Sequence, residues 1–236
     1  DMLLNHVACE CSVSTFRCRR VNLQYGESLA KTMNPQLEHI LNRDAIIVQQ
    51  ATELSNVLIG LDTANKYALF GRNGENLGSA AEKSGGAGGF ILRQFLQSSR
   101  SATVQIFDSQ GQEIGQLRKP FRFIYSEMTA VEGNTAIGRS RRTAFIFRNY
   151  KIAVGGVDTF AISSSLLQFG RVEFDVTRNG VVVAKIAKKF EGFMKMAFTQ
   201  ADNFSIQFFD ENLTLEERYA LFSTLFLIDF DVFEQM

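Results

Sequence analysis

A long apolar segment near the end of the chain limits the folds that are open to this sequence. Thr214 and Glu217 form a T-x-x-E capping box, which predicts a helix over residues 214–236. Its large apolar side chains point in nearly every direction around the axis: Tyr219, Leu221, Phe222, Leu225, Phe226, Ile228, Phe230 and Phe233. Because a helix that is apolar all round cannot face water, other elements have to surround it.

Short runs that are rich in β-branched and aromatic residues follow one another from Asp44 onward, each bounded by Gly, Asn or Asp. The predicted strands cover 45–50, 56–61, 66–71, 79–83, 102–107, 113–119, 121–131, 142–149, 151–154, 159–166, 172–177, 181–188 and 205–209. Between them, Asn or Gly at 72–74, 108–111 and 178–180 supplies the positive φ that tight turns require. These turns predict antiparallel hairpins.

About a dozen antiparallel strands provide the sheath that the terminal helix needs. With its side chains the helix is roughly 10 Å across, too wide for a small eight-stranded barrel. The predicted fold class is therefore mainly β, a twelve-stranded closed antiparallel barrel around a buried hydrophobic C-terminal helix. Residues 1–43 lack this rhythm apart from a possible short helix at 36–42, and are predicted to be an N-terminal extension to a barrel domain at 44–236.

Two local patterns favour connecting or terminal roles over binding sites. The loop S-G-G-A-G-G at 84–89, which leads into a possible helix within 85–99, lacks the Lys-Ser/Thr ending of a phosphate-binding loop. The pattern H-x2-C-x-C-x6-C that begins at His6 could supply four zinc ligands, but C-x-C spacing lacks the usual geometry. A flexible connector and ordinary thiols are the favoured interpretations.

Charge and composition exclude several classes of function. Lys plus Arg equals Asp plus Glu at 25 each, so the overall field gives no reason to expect a nucleic acid partner. Only two histidines occur and no nucleophile–base pair is visible, which argues against a conventional enzyme. The best apolar run, 219–228, is shorter than the roughly 18 residues that span a bilayer, so we expect no spanning helix.

Several motifs in order give the chain a specific resemblance. They are I-G-L-D at 59–62, N-K-Y at 65–67, G-Q-E at 111–113, A-D-N-F-S-I-Q-F at 201–208 and F-L-I-D-F-D-V-F-E at 226–234. Together they resemble the phospholipid scramblase family over residues 44 to 234. The stretch L-R-Q-F at 92–95 is more similar to the mitochondrial and bacterial-type members, which predicts a mitochondrial, membrane-associated protein.

The resemblance implies a fold and an activity. The fold is a twelve-stranded barrel around the last helix, related to the tubby C-terminal domain. The activity is bidirectional movement of phospholipids between leaflets, with a phospholipid membrane surface as the partner. The alternative is a non-catalytic lipid-binding or structural subunit of a mitochondrial assembly, whose protein partners would contact residues 1–43.

The resemblance also implies a weak calcium site just before the terminal helix. The candidate ligands are Asp202, Asn203, Asp210 and Glu211, whose oxygens suit Ca²⁺. Gln200 stands where the family pattern often has Asp, so only weak binding is expected. The competing interpretation, which we favour, is structural: F-x-I-x-F at 204–208 alternates as the inward face of a strand.

Three further expectations concern charge and membrane attachment. Arg139, Arg141 and Arg142 are candidate contacts for lipid phosphate, as are the lysines at 185–189, although a solvated rim is the favoured interpretation. Asp229 and Asp231 are predicted to be exposed at the barrel mouth.

No cysteine occurs at 121–128, where the animal members carry a cysteine-rich acylation run, which excludes acyl anchoring there. Membrane binding would then need exposed apolar residues, a protein partner or local basic charge.

Overall fold

A computed structural model describes residues 33–50, 63–83, 99–144, 146–163, 173–188 and 203–232. Two helices are present in these ranges, α1 at Pro35–Leu41 and α2 at Leu215–Asp231. The twelve strands are β1 Ala45–Gln50, β2 Thr63–Gly71, β3 Asn76–Lys83, β4 Ala102–Phe107, β5 Glu113–Lys119, β6 Glu127–Glu132, β7 Thr135–Arg142, β8 Tyr150–Val154, β9 Val157–Ile162, β10 Glu173–Arg178, β11 Val181–Ala187 and β12 Asn203–Phe208.

The strands form one closed sheet in which neighbours along the chain are also neighbours in space. β1 closes the barrel by pairing with β12, and Ile46 lies opposite Ile206 in that ladder. All of the strand pairs are antiparallel. The predicted fold class, a closed antiparallel barrel with a C-terminal helix, is confirmed.

Tight turns close the three hairpins that the sequence predicts. Gly74, Gly111 and Gly180 have φ near +80°, and Asn179 is a non-glycine residue with a positive φ of 52°. Because that region of backbone space is costly for most side chains, Asn and Gly at these positions fix where each strand reverses.

Two predicted strands are wrong in position. The run 142–149 is predicted to be a strand, but the ladder ends at Arg142. The strand here is β7, which the pattern does not indicate because its glycine, serine and arginines are not typical strand residues. β7 carries small residues because α2 approaches it closely: a Cβ at Gly138 would overlap Ala220. The run 121–131 begins too early, since β6 starts at Glu127.

The other strand predictions within the described ranges are confirmed to within a few residues. The predicted strand 56–61 lies outside the described residues, as do all but Ser99 of the glycine-rich segment with its helix at 85–99, the thiol pattern at 6–18 and residues 233–236 of the terminal helix.

Helix α2 fills the barrel, as its all-round apolar pattern predicts. The capping box forms: Thr214 Oγ1 accepts from the Glu217 amide, and Glu217 accepts from the Thr214 amide. Every residue from Arg218 to Asp231 is buried. Tyr67, Phe204, Phe222 and Phe226 meet edge to face with ring centroids 5.3–5.9 Å apart, which joins the helix to the wall.

Helix α1 belongs to the same core although it precedes the barrel strands. Asn34 caps it and Pro35 occupies its first turn. Leu37, Ile40 and Leu41 are fully buried. The assignment of residues 1–43 to an extension stays a prediction, because no feature of the described residues tests the division as a whole.

The up-and-down order gives the barrel two different ends. The end defined here as the hairpin end contains the connections 72–75, 108–112, 133–134, 155–156, 179–180 and 209–214. The opposite end, here the loop end, contains the connections 120–126 and 143–149 together with the end of α2. The remaining connections that start at the loop end include residues outside the described ranges.

Candidate functional site

A buried carboxylate lies at the loop end, in the last turn of α2. Ser126 donates its hydroxyl proton to Asp231 Oδ2, and Tyr150 donates to the same oxygen across 3.2 Å. Asp231 Oδ1 is buried and accepts no hydrogen bond from the described residues. The carboxylate therefore has two protein donors and one oxygen with unused acceptor capacity.

The predicted exposure of Asp229 and Asp231 is wrong, since both are buried. α2 stops inside the barrel mouth: even Val232, the residue after it, is 1% exposed. The physical reason is that the connection 120–126 and the start of β8 place Ser126 and Tyr150 beside the end of the helix. A sequence pattern cannot show how far a helix reaches within its barrel.

Burial governs the electrostatics of this carboxyl. Loss of solvation raises the pKa of Asp231, whereas the hydrogen bond from Ser126 and the charges of Lys119 and Arg142 act in the opposite direction. Burial, followed by the negative charge of Asp231, raises the pKa of the Tyr150 hydroxyl well above its ordinary value. Tyr150 is therefore a hydrogen-bond donor at any physiological pH.

A second buried ionic group lies at the same end. Arg100 pairs with Glu82, and their side chains are 7% and 4% exposed. The Arg100 guanidinium also lies over the Phe230 ring, 4.5 Å from its centroid. Lys119 donates to the Arg100 carbonyl across 2.8 Å. These contacts tie the end of α2 to β3, β4 and β5.

The three arginines predicted to contact lipid phosphate do not share one face. Arg139 and Arg141 alternate outward on β7 and are exposed. Arg141 already pairs with Asp158 across 3.2 Å. Arg142 turns toward the loop end, where its Nε donates to the Ala144 carbonyl across 3.0 Å.

The four predicted calcium ligands are likewise not brought together. Asp202 lies outside the described residues, and Asn203 begins β12 at the loop end. Asp210 and Glu211 follow the other end of that strand, and an extended chain puts about 17 Å between residues 203 and 208. Because calcium ligands lie roughly 2.3–2.6 Å from the ion, one ion cannot use both groups.

The two groups also differ in how their oxygens are used. Asp210 Oδ1 accepts from the backbone and side-chain nitrogens of Asn212, as a turn-forming Asp does. Asn203 Oδ1 is buried and accepts no hydrogen bond from the described residues. Across the described ranges, no group of three or more His, Cys, Asp or Glu side chains is placed to hold a metal ion.

The sequence predictions missed Ser126 and Tyr150 as functional neighbours of Asp231. They lie 105 and 81 positions away along the chain, so no local motif connects them. The only available signal was the buried helix itself, since a carboxylate in such a helix requires donors. Of the helices in the described ranges, none is long and apolar enough to cross a membrane.

These features define a class: a closed antiparallel barrel that is filled by its own terminal helix and has a buried carboxylate at one end. A family described as Scramblase matches residues 26–235, and the chain belongs to that family.

Three similar proteins illustrate what the chain resembles. The chain is 32% identical over 220 residues to human phospholipid scramblase 1, a match that covers 85% of this chain and 66% of the human protein. It is 30% identical to human phospholipid scramblase 2, covering 85% and 71%. It is 26% identical to altered inheritance rate of mitochondria protein 25 of Saccharomyces cerevisiae, covering 89% and 76%. No solved structure matches the chain significantly.

Proposed function

We propose that this protein moves phospholipids in both directions between the leaflets of a bilayer, without changing them chemically. The observation that supports this proposal is the match to the Scramblase family over residues 26–235. Relatives named phospholipid scramblases match over 85% of the chain, so the proposal concerns the whole barrel rather than a fragment of it.

The filled barrel restricts how such movement could occur. Arg218 to Asp231 are buried inside the barrel, so a lipid headgroup that entered the interior would have to displace side chains of this helix. A polar headgroup would therefore cross next to the outer surface of the barrel, where the protein disturbs lipid packing, or through a contact between several copies.

A mitochondrial membrane is the proposed location, supported by the yeast relative whose name refers to mitochondria. Protein partners in a mitochondrial assembly are proposed to bind residues 1–43 outside the buried face of α1, whose Leu37, Ile40 and Leu41 belong to the core.

Weak calcium stimulation is proposed as a further property, with Asp202 and Asn203 as the favoured group. Asn203 Oδ1 has unused acceptor capacity, whereas Asp210 already accepts hydrogen bonds in its own turn. The two groups lie at opposite ends of β12 and can be tested separately.

The experiment follows a fluorescent phospholipid in liposomes that contain the purified protein, with and without calcium. We expect redistribution above that of liposomes with heat-denatured protein. Redistribution no faster than this control would contradict scrambling and favour the alternative, a binding or structural subunit.

Three variants test the calcium proposal in the same liposomes. We expect Asp202→Ala to remove the calcium stimulation, while Glu211→Gln at the other end of β12 retains it. Asp158→Asn, an exposed change on β9, is the matched control for loss of one acidic charge. Loss of stimulation in Glu211→Gln alone would assign calcium to the hairpin end instead.

A further inference from the structure

The connection between β5 and β6 exposes consecutive large apolar side chains. Phe123 is 82% exposed and Ile124 60%, and Phe121 and Tyr125 are also exposed. A folded protein seldom leaves so many neighbouring apolar side chains in water, and such patches mark interaction sites. We call residues 120–126 the apolar loop.

The apolar loop is held in place at both of its ends. The Arg122 amide donates to the Ser99 carbonyl across 3.1 Å, and the Arg122 side chain pairs with Glu127 across 2.7 Å. Ser126 donates to the buried Asp231. Phe121 and Phe123 contact each other edge to face with centroids 6.0 Å apart. The exposed side chains are therefore presented on a fixed base.

A second connection adds to the same surface. The Arg142 amide donates to the Ser126 carbonyl across 2.8 Å, which joins the apolar loop to the start of the connection 143–149. Within that connection Ile146 is 67% exposed. Apolar side chains from two neighbouring connections thus project from one side of the loop end.

Basic residues outnumber acidic ones around this surface although the whole chain is neutral, and Glu127, which pairs with Arg122, is the acidic residue next to the apolar loop. The stretches 118–126 and 141–149 contain six cationic residues and no acidic one: Arg118, Lys119, Arg122, Arg141, Arg142 and Arg148. Apolar and aromatic side chains among basic ones are the composition that inserts into the interface of an anionic bilayer.

The hairpin end differs in both respects. Val157 is exposed there at the start of β9, and the neighbouring Val181 and Val182 are exposed at the start of β11, but none of these side chains is aromatic. Phe209 is exposed beside Asp210 and Glu211, whose charges would be repelled by anionic lipid. The contrast favours the loop end as the face that meets a membrane.

We propose that the apolar loop, together with Ile146, inserts into the interfacial region of an anionic phospholipid bilayer and docks the barrel by its loop end. This inference rests on the proposed function for the presence of a phospholipid membrane, and it adds the surface and the lipid charge. The apolar tips enter the region of the upper acyl chains while Arg118 and Arg122 stay among the phosphates.

The absence of tryptophan from the chain allows a direct test. Phe123→Trp places one fluorophore on the apolar loop, and Val181→Trp places one on the hairpin end at an exposed position. We expect a blue shift, and quenching by brominated acyl chains, for Phe123→Trp with vesicles of phosphatidylcholine and phosphatidylserine in equal parts. Val181→Trp should change little.

Affinity measurements sharpen the test. The double substitution Phe123→Asp and Ile124→Asp should weaken vesicle binding about 10-fold or more, whereas Val181→Asp should not. Arg122→Gln should weaken binding about 5-fold on the anionic vesicles and hardly at all on pure phosphatidylcholine. Circular dichroism and thermal unfolding should show that all variants are folded, since the changed side chains are exposed.

Three results would overturn the inference: no fluorescence change for Phe123→Trp with vesicles, an equal change for Val181→Trp, or emission already blue-shifted without vesicles. The last would mean that another part of the chain or a second protein copy covers the loop. If the wild-type protein scrambles phospholipids but the tryptophan of Phe123→Trp does not insert into vesicles, this docking surface is rejected and the proposed function is not. Insertion without scrambling would reject the proposed function and leave the docking surface standing.

Discussion

The two ends of the barrel are built by different means. At the hairpin end, short connections of Gly and Asn reverse the strands, and Tyr219 binds the carbonyls of Gln116 and Val131 across 3.1 and 3.0 Å. At the loop end, longer connections meet a buried carboxylate and a buried ion pair. The backbone chemistry of the turn residues sets where the strands reverse at the first end, whereas the connections of the second end depend on contacts between distant residues.

The two ends also differ in the charges that their connections carry. The described connections of the hairpin end carry Asp44, Glu75, Asp108, Asp210 and Glu211 against Arg43 and Arg72, and those of the loop end carry arginines and no acid. Exposed apolar side chains add nothing to the core, so the buried polar contacts of the loop end hold the connection that carries them in position. Four predictions test that contrast.

The largest effect is expected from the buried ion pair at the loop end. Arg100→Met leaves Glu82 buried without its cation, and we expect the free energy of unfolding to fall by about 3–5 kcal/mol. Urea denaturation measures this loss.

The matched change at the hairpin end is Arg72→Ala. It removes an ion pair with Asp44 in which the side chains are 40% and 60% exposed, and it should cost less than about 1 kcal/mol. Combining Arg100→Met with Glu82→Gln should recover part of the loss. Equal costs for Arg100→Met and Arg72→Ala would remove the distinction between the ends.

The next effect concerns a tyrosine at each end. Tyr219→Phe removes a hydroxyl that binds two strand carbonyls, and we expect it to lower the free energy of unfolding by about 1–2 kcal/mol. Tyr125→Phe in the apolar loop should change it by less than about 0.5 kcal/mol, because its side chain is exposed. A larger cost for Tyr125→Phe would show that the apolar loop stabilises the fold.

The third effect is a dependence on pH at the loop end. Burial raises the pKa of Asp231 above the ordinary pKa of Asp, roughly 3.9. As the pH rises past that value, the carboxyl group loses its proton in the unfolded chain but keeps it in the folded protein. The free energy of unfolding must therefore fall as the pH rises from that value through the higher folded pKa.

Asp231→Asn should remove this contribution. Thermal unfolding at a series of pH values should show wild type losing stability relative to Asp231→Asn as the pH rises. Asp158→Asn, at an exposed ion pair, is the control. A difference between wild type and Asp231→Asn that stays constant with pH would contradict a raised pKa at this position.

The smallest effect is expected at a turn of the hairpin end. Asn179 has a φ of 52°, so Asn179→Ala should lower the free energy of unfolding by about 1 kcal/mol. Asn179→Gly should be tolerated, since glycine adopts this conformation freely. Thermal denaturation of both variants tests whether the turn residue or the surrounding sheet sets the conformation; equal melting temperatures would indicate the sheet.

Much of the barrel could be read from local patterns, while the site could not. The strand β1 was predicted at its observed bounds because four consecutive apolar residues and a following polar pair mark it plainly. β7 was missed because its inward residues, Gly138 and Ser140, are small rather than apolar. These residues are small because Ala220 and Thr224 on α2 lie close to them. Ser140 Oγ lies 2.5 Å from Thr224 Oγ1.

The apolar loop is the opposite case, a connection that the sequence pattern predicts to be part of a strand. Its aromatic and β-branched residues resemble a strand, and the sequence predicted one at 121–131. In the structure the ladder resumes only at Glu127, and Phe123 and Ile124 face outward into solvent. Composition alone does not distinguish a strand that packs on a core from a connection that exposes the same side chains.

The sequence by itself determined that α2 must be enclosed, where three of the hairpin turns lie and that the chain belongs with the scramblases, since these depend on periodicity, turn residues and motif order. Only the tertiary structure decided that Asp231 is buried with Ser126 and Tyr150, that β12 separates Asn203 from Asp210, and that basic and apolar residues share the loop end. Those facts depend on which distant residues a closed sheet brings together, and such pairings leave no signal in a local stretch of chain.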